Sequence, residues 1–139
     1  MKILIMGLPG AGKTTLAKLL APKMGAIHFN ADIVRATMNK DLGFSAADRV
    51  EHARRMGCMC QYVKDSGHIA IADFVCPTPE TRSAFNADLT VWVDTLKEGR
   101  FADTNKLFIP PDNADITIRD YNYEVEDLNT CLHLLYKML

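Results

Sequence analysis

The sequence lacks a strong net charge, a long apolar run and any low-complexity stretch. Its 139 residues include 16 Lys and Arg against 17 Asp and Glu, a formal charge of −1. A near-neutral chain has no charge pattern for nucleic acid or a membrane surface, so any attraction for anions must come from local clusters of cations. No apolar run has the length of a membrane span or of a signal-peptide core. These absences predict a cytoplasmic protein without a nucleic-acid or membrane partner.

Cysteine is also scarce, with four residues and no CxxC pair. Cys58 and Cys60 are two positions apart and would point to different faces of a helix, which makes them a poor half-site for zinc. We expect these two residues, together with Cys76 and Cys131, to be buried free thiols in a reducing compartment.

What the sequence does contain is an alternation of short apolar runs and longer amphipathic segments, which is typical of βαβ units and a mostly parallel sheet. Strands are predicted over residues 2–6, 26–29, 69–73, 89–93 and 116–118. Helices are predicted over residues 14–23, 31–38, 45–66, 78–88 and 123–139. We therefore expect an α/β fold of the P-loop NTPase type, with a five-stranded sheet between two helical layers. At 139 residues the chain has the size of a single domain, residues 1–139.

The predicted helices differ in how clearly their ends and faces are marked. Pro22 and Gly25 indicate the end of the first helix. Ser45 and Asp48 have the spacing of a capping box before the longest helix. Its apolar stripe, expected to face the sheet, is Ala46, Val50, Ala53, Gly57, Cys60 and Val63. The stripe of the last helix is Val125, Leu128, Leu132, Leu135 and Leu139. Residues 94–115 show no period and are predicted to be irregular, in the position of a lid.

Residues 7–14 read Gly-Leu-Pro-Gly-Ala-Gly-Lys-Thr between the first predicted strand and the first predicted helix. This segment satisfies the GxxxxGK[ST] pattern in the context that the pattern requires. Its backbone N–H groups can turn towards phosphate oxygens, Lys13 can reach the terminal phosphates, and Thr14 can offer its hydroxyl to Mg²⁺. ATP and Mg²⁺ are therefore the predicted cofactors. The predicted nucleotide-binding residues are Gly7, Leu8, Pro9, Gly10, Ala11, Gly12, Lys13, Thr14 and Thr15.

A P-loop alone does not separate kinases from GTPase switches or motor ATPases. GTPases recognise guanine with Asn-Lys-x-Asp after a late strand, whereas Asn39-Lys40 comes early here and Asn105-Lys106 is not followed by the Asp. The small size favours a kinase, because one sheet with an anion pocket beside the P-loop suffices for phosphoryl transfer between small molecules. A nucleic-acid kinase is disfavoured, since the chain has no basic stripe with interleaved aromatics.

Further segments in the first half of the chain have distinctive sequences. They are Asn30-Ala31-Asp32-Ile33-Val34-Arg35, Asn39-Lys40-Asp41-Leu42-Gly43-Phe44-Ser45, Asp48-Arg49 and Phe74-Val75-Cys76-Pro77. Their succession resembles the adenylylsulfate (APS) kinase family, which has Asp-Gly-Asp-Asn-x-x-Arg, Asn-Lys-Asp-Leu-Gly-Phe-Ser, Asp-Arg and Phe-Ile-Ser-Pro in this order. The resemblance covers residues 3–82 and is faint beyond Asp94. It implies transfer of phosphate from ATP to the 3′-hydroxyl of adenylylsulfate, the step that gives 3′-phosphoadenylylsulfate in sulfate assimilation.

The resemblance also implies roles for individual residues. Asp32 matches a carboxylate near the metal and the acceptor hydroxyl, and with Lys13 it forms the implied catalytic pair. Arg35 and Arg49 match positions that face the phosphosulfate, and Phe44 matches a position against the adenine. The implied substrate-binding set is Arg35, Phe44, Arg49, His52 and Val75.

The residues themselves leave alternatives open. Asp32 could instead form an ion pair with Arg35, three residues on. Phe44 could be a hydrophobic staple before a helix cap. Arg49 and His52 would share a helix face away from the apolar stripe, and they could either point at an anion or form a solvated surface.

The chain departs from the family pattern at several positions. Asn30 and Ala31 replace its first Asp and its Gly, His52 stands where the family has Asn, and Cys76 where it has Ser. Asp73 follows an apolar run, as in a Walker-B strand, where the family tends to carry a small hydroxyl. It could contribute to the magnesium shell through water, or it could cap a turn. The predicted metal-binding set is Thr14, Asp32 and Asp73.

The largest departure is a deletion after the fourth predicted strand, where the family carries a basic lid helix. The remaining candidates for its duties are Lys97, Arg100, Phe101 and Lys106. Because a lid excludes water and brings cations to the transferring phosphate, its shortening leaves two alternatives open. One is a kinase for another small hydroxyl acceptor, and the other is a non-catalytic nucleotide-binding relative. The sequence does not fix the oligomeric state, for which a homodimer is one option.

Overall fold

The computed structural model describes residues 1–120 and 125–138. Its strands form one sheet in which every neighbouring pair is parallel, in the order β2-β3-β1-β4-β5. The strands are β1 (Lys2–Met6), β2 (Ile27–Asn30), β3 (Ala70–Asp73), β4 (Leu89–Val93) and β5 (Ile116–Ile118). All residues of β1 are buried, as expected for a central strand covered on both faces. The prediction of a five-stranded, mostly parallel sheet is confirmed.

Helices cover both faces of this sheet. They are α1 (Lys13–Met24), α2 (Ala31–Ala36), α3 (Ala46–Asp65), α4 (Pro79–Phe85), α5 (Ala102–Leu107) and α6 (Val125–Met138). Successive side chains of β1 point to opposite faces, so Ile3 and Ile5 pack in an apolar cluster with α1 and α6. Leu4 and Met6 pack in a second cluster with α2, α3 and α4. The predicted three-layer arrangement is thereby confirmed.

The helix that follows the P-loop continues further than its sequence indicates. Pro22, predicted to help end α1, lies inside its last turn, and the helix runs to Met24. It stops at Gly25, whose φ of 61° places it in the left-handed region and whose N–H bonds back to the Ala21 and Pro22 carbonyls.

Several other predicted boundaries are wrong by a few residues. β2 covers residues 27–30 rather than 26–29, and β3 begins at Ala70 rather than at residue 69. α2 ends at Ala36 because Thr37 leaves helical geometry and its hydroxyl donates to the Ile33 carbonyl at 2.7 Å. α4 ends at Phe85 because Asn86 adopts the left-handed conformation, with φ of 59°.

The long helix α3 is capped as predicted at Ser45, whose Oγ accepts from the backbone N–H of Asp48 at 3.1 Å. The other predicted bond of the capping box, from the backbone N–H of Ser45 to the Asp48 side chain, is wrong. Asp48 Oδ2 instead accepts from the N–H of Gly43 at 2.8 Å and stabilises the preceding turn. The predicted stripe needs correction at one end, since Ala46 is exposed. The buried residues of α3 are His52, Ala53, Met56, Gly57 and Cys60.

Residues 94–115, predicted to be irregular, contain the six-residue helix α5. A helix of this length is too short to show a hydrophobic period in the sequence. The predicted stripe of the last helix lies mostly outside the described side chains, but Leu132 packs in the cluster with α1. The prediction of buried thiols is wrong for Cys58, which is exposed on α3, while the free thiols of Cys60 and Cys76 are buried. The side chain of Cys131 lies outside the described residues.

Across residues 1–120 and 125–138, no helix is both long enough and apolar enough to cross a membrane.

Candidate active site

A cavity of about 540 Å³ opens at the carboxyl ends of the strands, beside the P-loop. This is the edge at which open parallel sheets bind ligands. The cavity brings together most of the residues that the sequence singled out: Pro9, Gly10, Gly12, Lys13, Thr14, Thr15, Asp32, Arg35, Phe44, Arg49, His52, Asp73 and Val75. Gly7, Leu8 and Ala11 of the predicted nucleotide-binding set lie outside its lining.

The P-loop owes its shape to glycines. Gly12, with φ of 104°, is the cap of α1, and it has no side chain to cover the N–H groups of the first helical turn. Gly7, with φ of 154°, lies against β4, where an added Cβ would come within 2.5 Å of the Val93 carbonyl oxygen. The loop therefore directs backbone donors at the cavity and tolerates no side chain at its first position.

Lys13 is buried and folds back onto the loop, where its Nζ donates to the Leu8 carbonyl at 2.8 Å. Burial lowers the pKa of Lys13 to about 8, and Arg100 adds to this effect, while the carboxylates of Asp73 and Asp32 oppose it. The ammonium group thus lies within the electrostatic influence of both candidate metal-binding carboxylates.

Asp73 is the centre of a hydrogen-bond network at the end of β3. Its Oδ1 accepts from the Thr14 hydroxyl at 2.9 Å. Its Oδ2 accepts from Nε2 of His28. Asn30 Nδ2 lies 3.2 and 3.3 Å from the two carboxylate oxygens and 3.0 Å from Thr14 Oγ1. The side chain is 3% exposed, and its contacts join α1, β2 and β3 rather than cap a turn.

These oxygens suit Mg²⁺, which prefers hard oxygen ligands and usually takes only one or two carboxylates, completing its shell with water and phosphate. Among the residues that the structure describes, no group of three or more His, Cys, Asp or Glu side chains could hold a metal ion. The adjacent Thr14 hydroxyl and Asp73 carboxylate nevertheless match the P-loop pattern of one hydroxyl and one Walker-B Asp.

Asp32 lies in the first turn of α2, exposed and on the wall of the cavity. Its predicted alternative, an ion pair with Arg35, is wrong, because the ion pairs found within the described residues do not include it. Arg35 instead donates to the Gly43 carbonyl at 2.9 Å. Asp32 therefore presents its carboxylate to the cavity without a neutralising guanidinium in contact.

Phe44 contacts two arginines in the lining of the cavity. The guanidinium carbons of Arg35 and Arg49 lie 4.4 and 5.4 Å from the centre of its ring. The ring is 68% exposed, so Phe44 is not a core residue. Burial, and then the charge of Arg49, lowers the pKa of Arg35. Two cations that face one exposed ring form a wall suited to an anion with an attached aromatic group.

His52 was predicted to lie away from the apolar stripe of α3, and this is wrong. The side chain is buried, packs edge-on against Phe74, and its Nδ1 is 2.9 Å from Asn39 Nδ2. Because the amide nitrogen of Asn39 can only donate, Nδ1 is the acceptor and Nε2 carries the hydrogen. Burial, followed by the charges of Arg35 and Arg55, lowers the pKa of His52 to about 4. The imidazole is therefore neutral near pH 7.

The turn after β3 forms a further part of the cavity lining. Cys76 is buried and has φ of 47°, an uncommon conformation for a residue with a side chain. Burial raises the pKa of its thiol to about 12, against the opposing hydrogen bond to Thr81. The thiol is protonated at neutral pH and serves as a packing group, while Val75 beside it lines the cavity.

The segment after β4 supplies the last wall. Thr95 Oγ1 donates to the Ala11 carbonyl at 2.7 Å, and Asn105 closes a turn by bonding the N–H and the carbonyl of Gly99 at 2.7 and 3.1 Å. Of the four lid candidates, Arg100 and Phe101 line the cavity, as does Thr104 of α5. Lys97 lines a separate cavity of about 200 Å³, and Lys106 is exposed on α5.

Sequence reasoning missed His28 and the role of Asn30. His28 lies two residues before Asn30, on the same face of β2, and Asn30 pairs with Asp73 in the register of the sheet. The period of two was readable in the sequence, but the register was not, because it depends on how β2 and β3 align.

Comparison with known proteins agrees with this geometry. The family model for adenylylsulphate kinase matches residues 1–117. The adenylyl-sulfate kinase of Shewanella sp. (strain ANA-3) is 41% identical over 86 residues, which are 58% of this chain and 42% of the relative. The enzyme of the same name from Lactiplantibacillus plantarum is 33% identical over 123 residues, 80% of this chain and 59% of the relative. The chain thus spans about half the length of these curated relatives.

Among solved structures, the Mycobacterium tuberculosis APS kinase CysC in complex with AMPPNP and APS superposes with a TM-score of 0.85, at 24% identity, covering 97% of this chain and 96% of that one. Shikimate kinase from Aquifex aeolicus superposes with a TM-score of 0.60, at 17% identity, covering 99% and 97%. At these identities the likeness shows the fold, which is that of P-loop kinases.

Proposed function

Since the chain belongs to the adenylylsulphate kinase family, we propose that it transfers the γ-phosphate of ATP to the 3′-hydroxyl of adenylylsulfate. The products are ADP and 3′-phosphoadenylylsulfate. One observation carries the proposal, namely that a single cavity joins the P-loop to Asp32 and to the wall formed by Arg35, Phe44 and Arg49. Phosphoryl transfer requires the donor and the acceptor to meet in such a shared space.

On the donor side, the P-loop backbone and the start of α1 would bind the triphosphate. Lys13 would leave the Leu8 carbonyl and contact the terminal phosphates. Thr14 and Asp73, with Asp32 nearby, would hold Mg²⁺. When bound, this ion neutralises phosphate charge. Arg100 lies next to the P-loop, since a Cβ added to Gly10 would be 3.9 Å from the Nε of Arg100. From this position the guanidinium would face the transferred phosphoryl group.

On the acceptor side, Arg35 and Arg49 would bind the phosphosulfate, and Phe44 would contact the adenine. His52 and Val75 would shape the remainder of the pocket. Asp32 would orient the 3′-hydroxyl and accept its proton as the oxygen attacks the γ-phosphorus. The bond from that phosphorus to the bridging oxygen breaks, and ADP leaves with the electron pair.

The free thiols on the described residues suit a reducing cytoplasm, which we propose as the location. A homodimer stays a prediction, to be checked by light scattering of the purified chain.

The test incubates the protein with ATP, Mg²⁺ and adenylylsulfate and measures the 3′-phosphorylated product by chromatography. Arg49→Ala should raise KM for adenylylsulfate at least tenfold, because it removes a charge-assisted contact. Arg54→Ala is the matched control, since Arg54 lies on the same helix and pairs with Glu51 at the surface. Absence of product with the wild-type protein would reject this acceptor, and a panel of nucleosides and sugars would then test another hydroxyl. Tight binding of ATP or ADP without acceptor-dependent release of ADP from ATP would support a non-catalytic module.

A further inference from the structure

We propose that His28 is a positioning residue that aims the Asp73 carboxylate at the magnesium site, so that β3 supplies the metal-binding carboxylate of this chain. The inference rests on the proposed binding of nucleotide with Mg²⁺. It assigns a role to a residue of the edge strand β2, and it assigns metal binding to Asp73 and orientation of the acceptor hydroxyl to Asp32.

The two oxygens of Asp73 share the Asn30 amide and otherwise have different partners. Oδ1 accepts from Thr14, whose hydroxyl opens the magnesium site, and Oδ2 accepts from Nε2 of His28. An ionised carboxylate can only accept, so Nε2 carries the hydrogen of this bond. The imidazole therefore engages one oxygen and leaves the other directed at Thr14.

Asn30 reinforces this division from the same strand. Its Oδ1 accepts from the N–H of Ile33 at 3.1 Å, which fixes the amide so that Nδ2 faces Asp73 and Thr14. Asn30 contributes no charge, and with its orientation fixed it offers the site only N–H donors. The position next to Asp73 in the β2–β3 register is thus occupied by a donor that supports the carboxylate.

Nothing in the packing of β2 requires a histidine at position 28. The strand lies at the edge of the sheet and its residues are exposed or half-buried. In the sheet His28 pairs with Ile71, and its side chain extends diagonally to Asp73, two residues further along β3. An apolar side chain would suit the fold here, but it would leave Oδ2 of a buried carboxylate with the Asn30 amide, at 3.3 Å, as its remaining side-chain donor among the described residues.

Asp32 differs from Asp73 on each of these points. It is exposed, it belongs to α2, and the hydrogen bonds found within the described residues do not fix its side chain. A carboxylate free to move suits the acceptor hydroxyl, whose position depends on the ligand. A carboxylate held on both oxygens suits a metal ion, because outer partners that orient a ligand typically contribute tenfold to a hundredfold in metal affinity.

The test measures ADP binding by calorimetry in EDTA and in Mg²⁺, which separates metal binding from catalysis. In the wild-type protein Mg²⁺ should tighten ADP binding. His28→Leu should reduce this Mg²⁺-dependent increase in ADP affinity about tenfold and leave the ADP affinity in EDTA unchanged. His28→Gln, which keeps an N–H donor at similar reach, should recover most of the gain. His68→Leu, the same substitution at an exposed histidine, should match the wild type.

Three results would overturn the inference. The first is a His28→Leu variant in which Mg²⁺ still tightens ADP binding as much as in the wild type, and the second is a loss of ADP affinity that is equal in EDTA and in Mg²⁺. The third is a Mg²⁺-dependent increase in ADP affinity that disappears in Asp32→Asn but not in His28→Leu. If His28→Leu does not fold, His28→Asn replaces it in the test. The asparagine side chain is too short to reach Oδ2 of Asp73, so this variant should lose the Mg²⁺-dependent increase in ADP affinity that His28→Gln retains. No binding of ADP by the wild-type protein in either buffer would instead reject the proposed function.

Discussion

The hydroxyl of Thr14 lies 2.9 Å from Oδ1 of Asp73, although 59 positions separate the two residues in the chain. Helix α1 provides the first oxygen and strand β3 the second, and the parallel pairing of β1 with β3 brings them to the same edge of the sheet.

This pair should act as a unit. Thr14→Val and Asp73→Asn should each weaken MgADP binding, and the double variant should be little weaker than the worse single variant, because both changes remove parts of one metal site. A double-mutant cycle on dissociation constants checks this. Thr14→Ser, which keeps the hydroxyl, should remain near wild type. Additive losses in the double variant would mean that the two oxygens serve different ligands.

Arg100 should matter more for turnover than for folding. It is exposed and lines the cavity above the P-loop, so Arg100→Ala should lower kcat on the order of 100-fold while the melting temperature changes little. Lys106→Ala removes a cation from α5, outside that cavity, and provides the matched control. Equal effects of the two substitutions on kcat would show that Arg100 has no specific role.

Gly57 should resist a substitution that normally stabilises a helix. Alanine is favoured over glycine inside helices by roughly 1 kcal/mol. At this position, however, a Cβ would come within 2.6 Å of the Phe85 carbonyl oxygen at the α3–α4 contact. We expect Gly57→Ala to lower the free energy of unfolding by about 1–3 kcal/mol. Urea denaturation measures it, with Cys58→Ala as the exposed neighbour expected to change little. A stabilised Gly57→Ala variant would contradict the packing described for these helices.

His52 should make the fold sensitive to acid. Its pKa is about 4 in the folded protein against an ordinary 6.5, so the unfolded chain binds the additional proton between these values. The contribution to stability is present above pH 6.5 and is lost as the pH falls towards 4, amounting to about 2 kcal/mol between pH 8 and pH 5. His52→Asn removes the titrating group and should flatten this part of the pH dependence in urea unfolding. Parallel pH profiles for the two proteins would show that His52 does not carry the effect.

The order of the strands, and of the helices other than α5, was predictable because parallel strands are continuous apolar runs and because the P-loop marks one junction unambiguously. Much of the lining of the cavity was predictable from short sequences such as those around Asp32 and Phe44. The ends of α2 and α4 were not, because they depend on Thr37 and Asn86 adopting backbone geometries that neighbouring segments impose.

Errors within the site have a common cause. The spacing of His52 from Arg49 predicts a shared polar helix face, whereas the burial of His52 involves Asn39 and Phe74, contacts that no local pattern reveals. His28 was overlooked because its partner belongs to another strand. Helix α5 was overlooked because it owes its position to contacts such as those around Gly99 and Asn105 rather than to an apolar face.

The ring of Phe44 has a consequence for selectivity. Both arginines lie over it, and burial, followed by repulsion from Arg49, lowers the pKa of Arg35. A neutral nucleoside that competes for the ring would have to displace a guanidinium and leave that repulsion in place. A nucleotide whose anionic group bridges the two cations would relieve the repulsion as it stacks. Under the proposed function, we therefore expect this wall to bind uncharged adenine compounds more weakly than anionic ones.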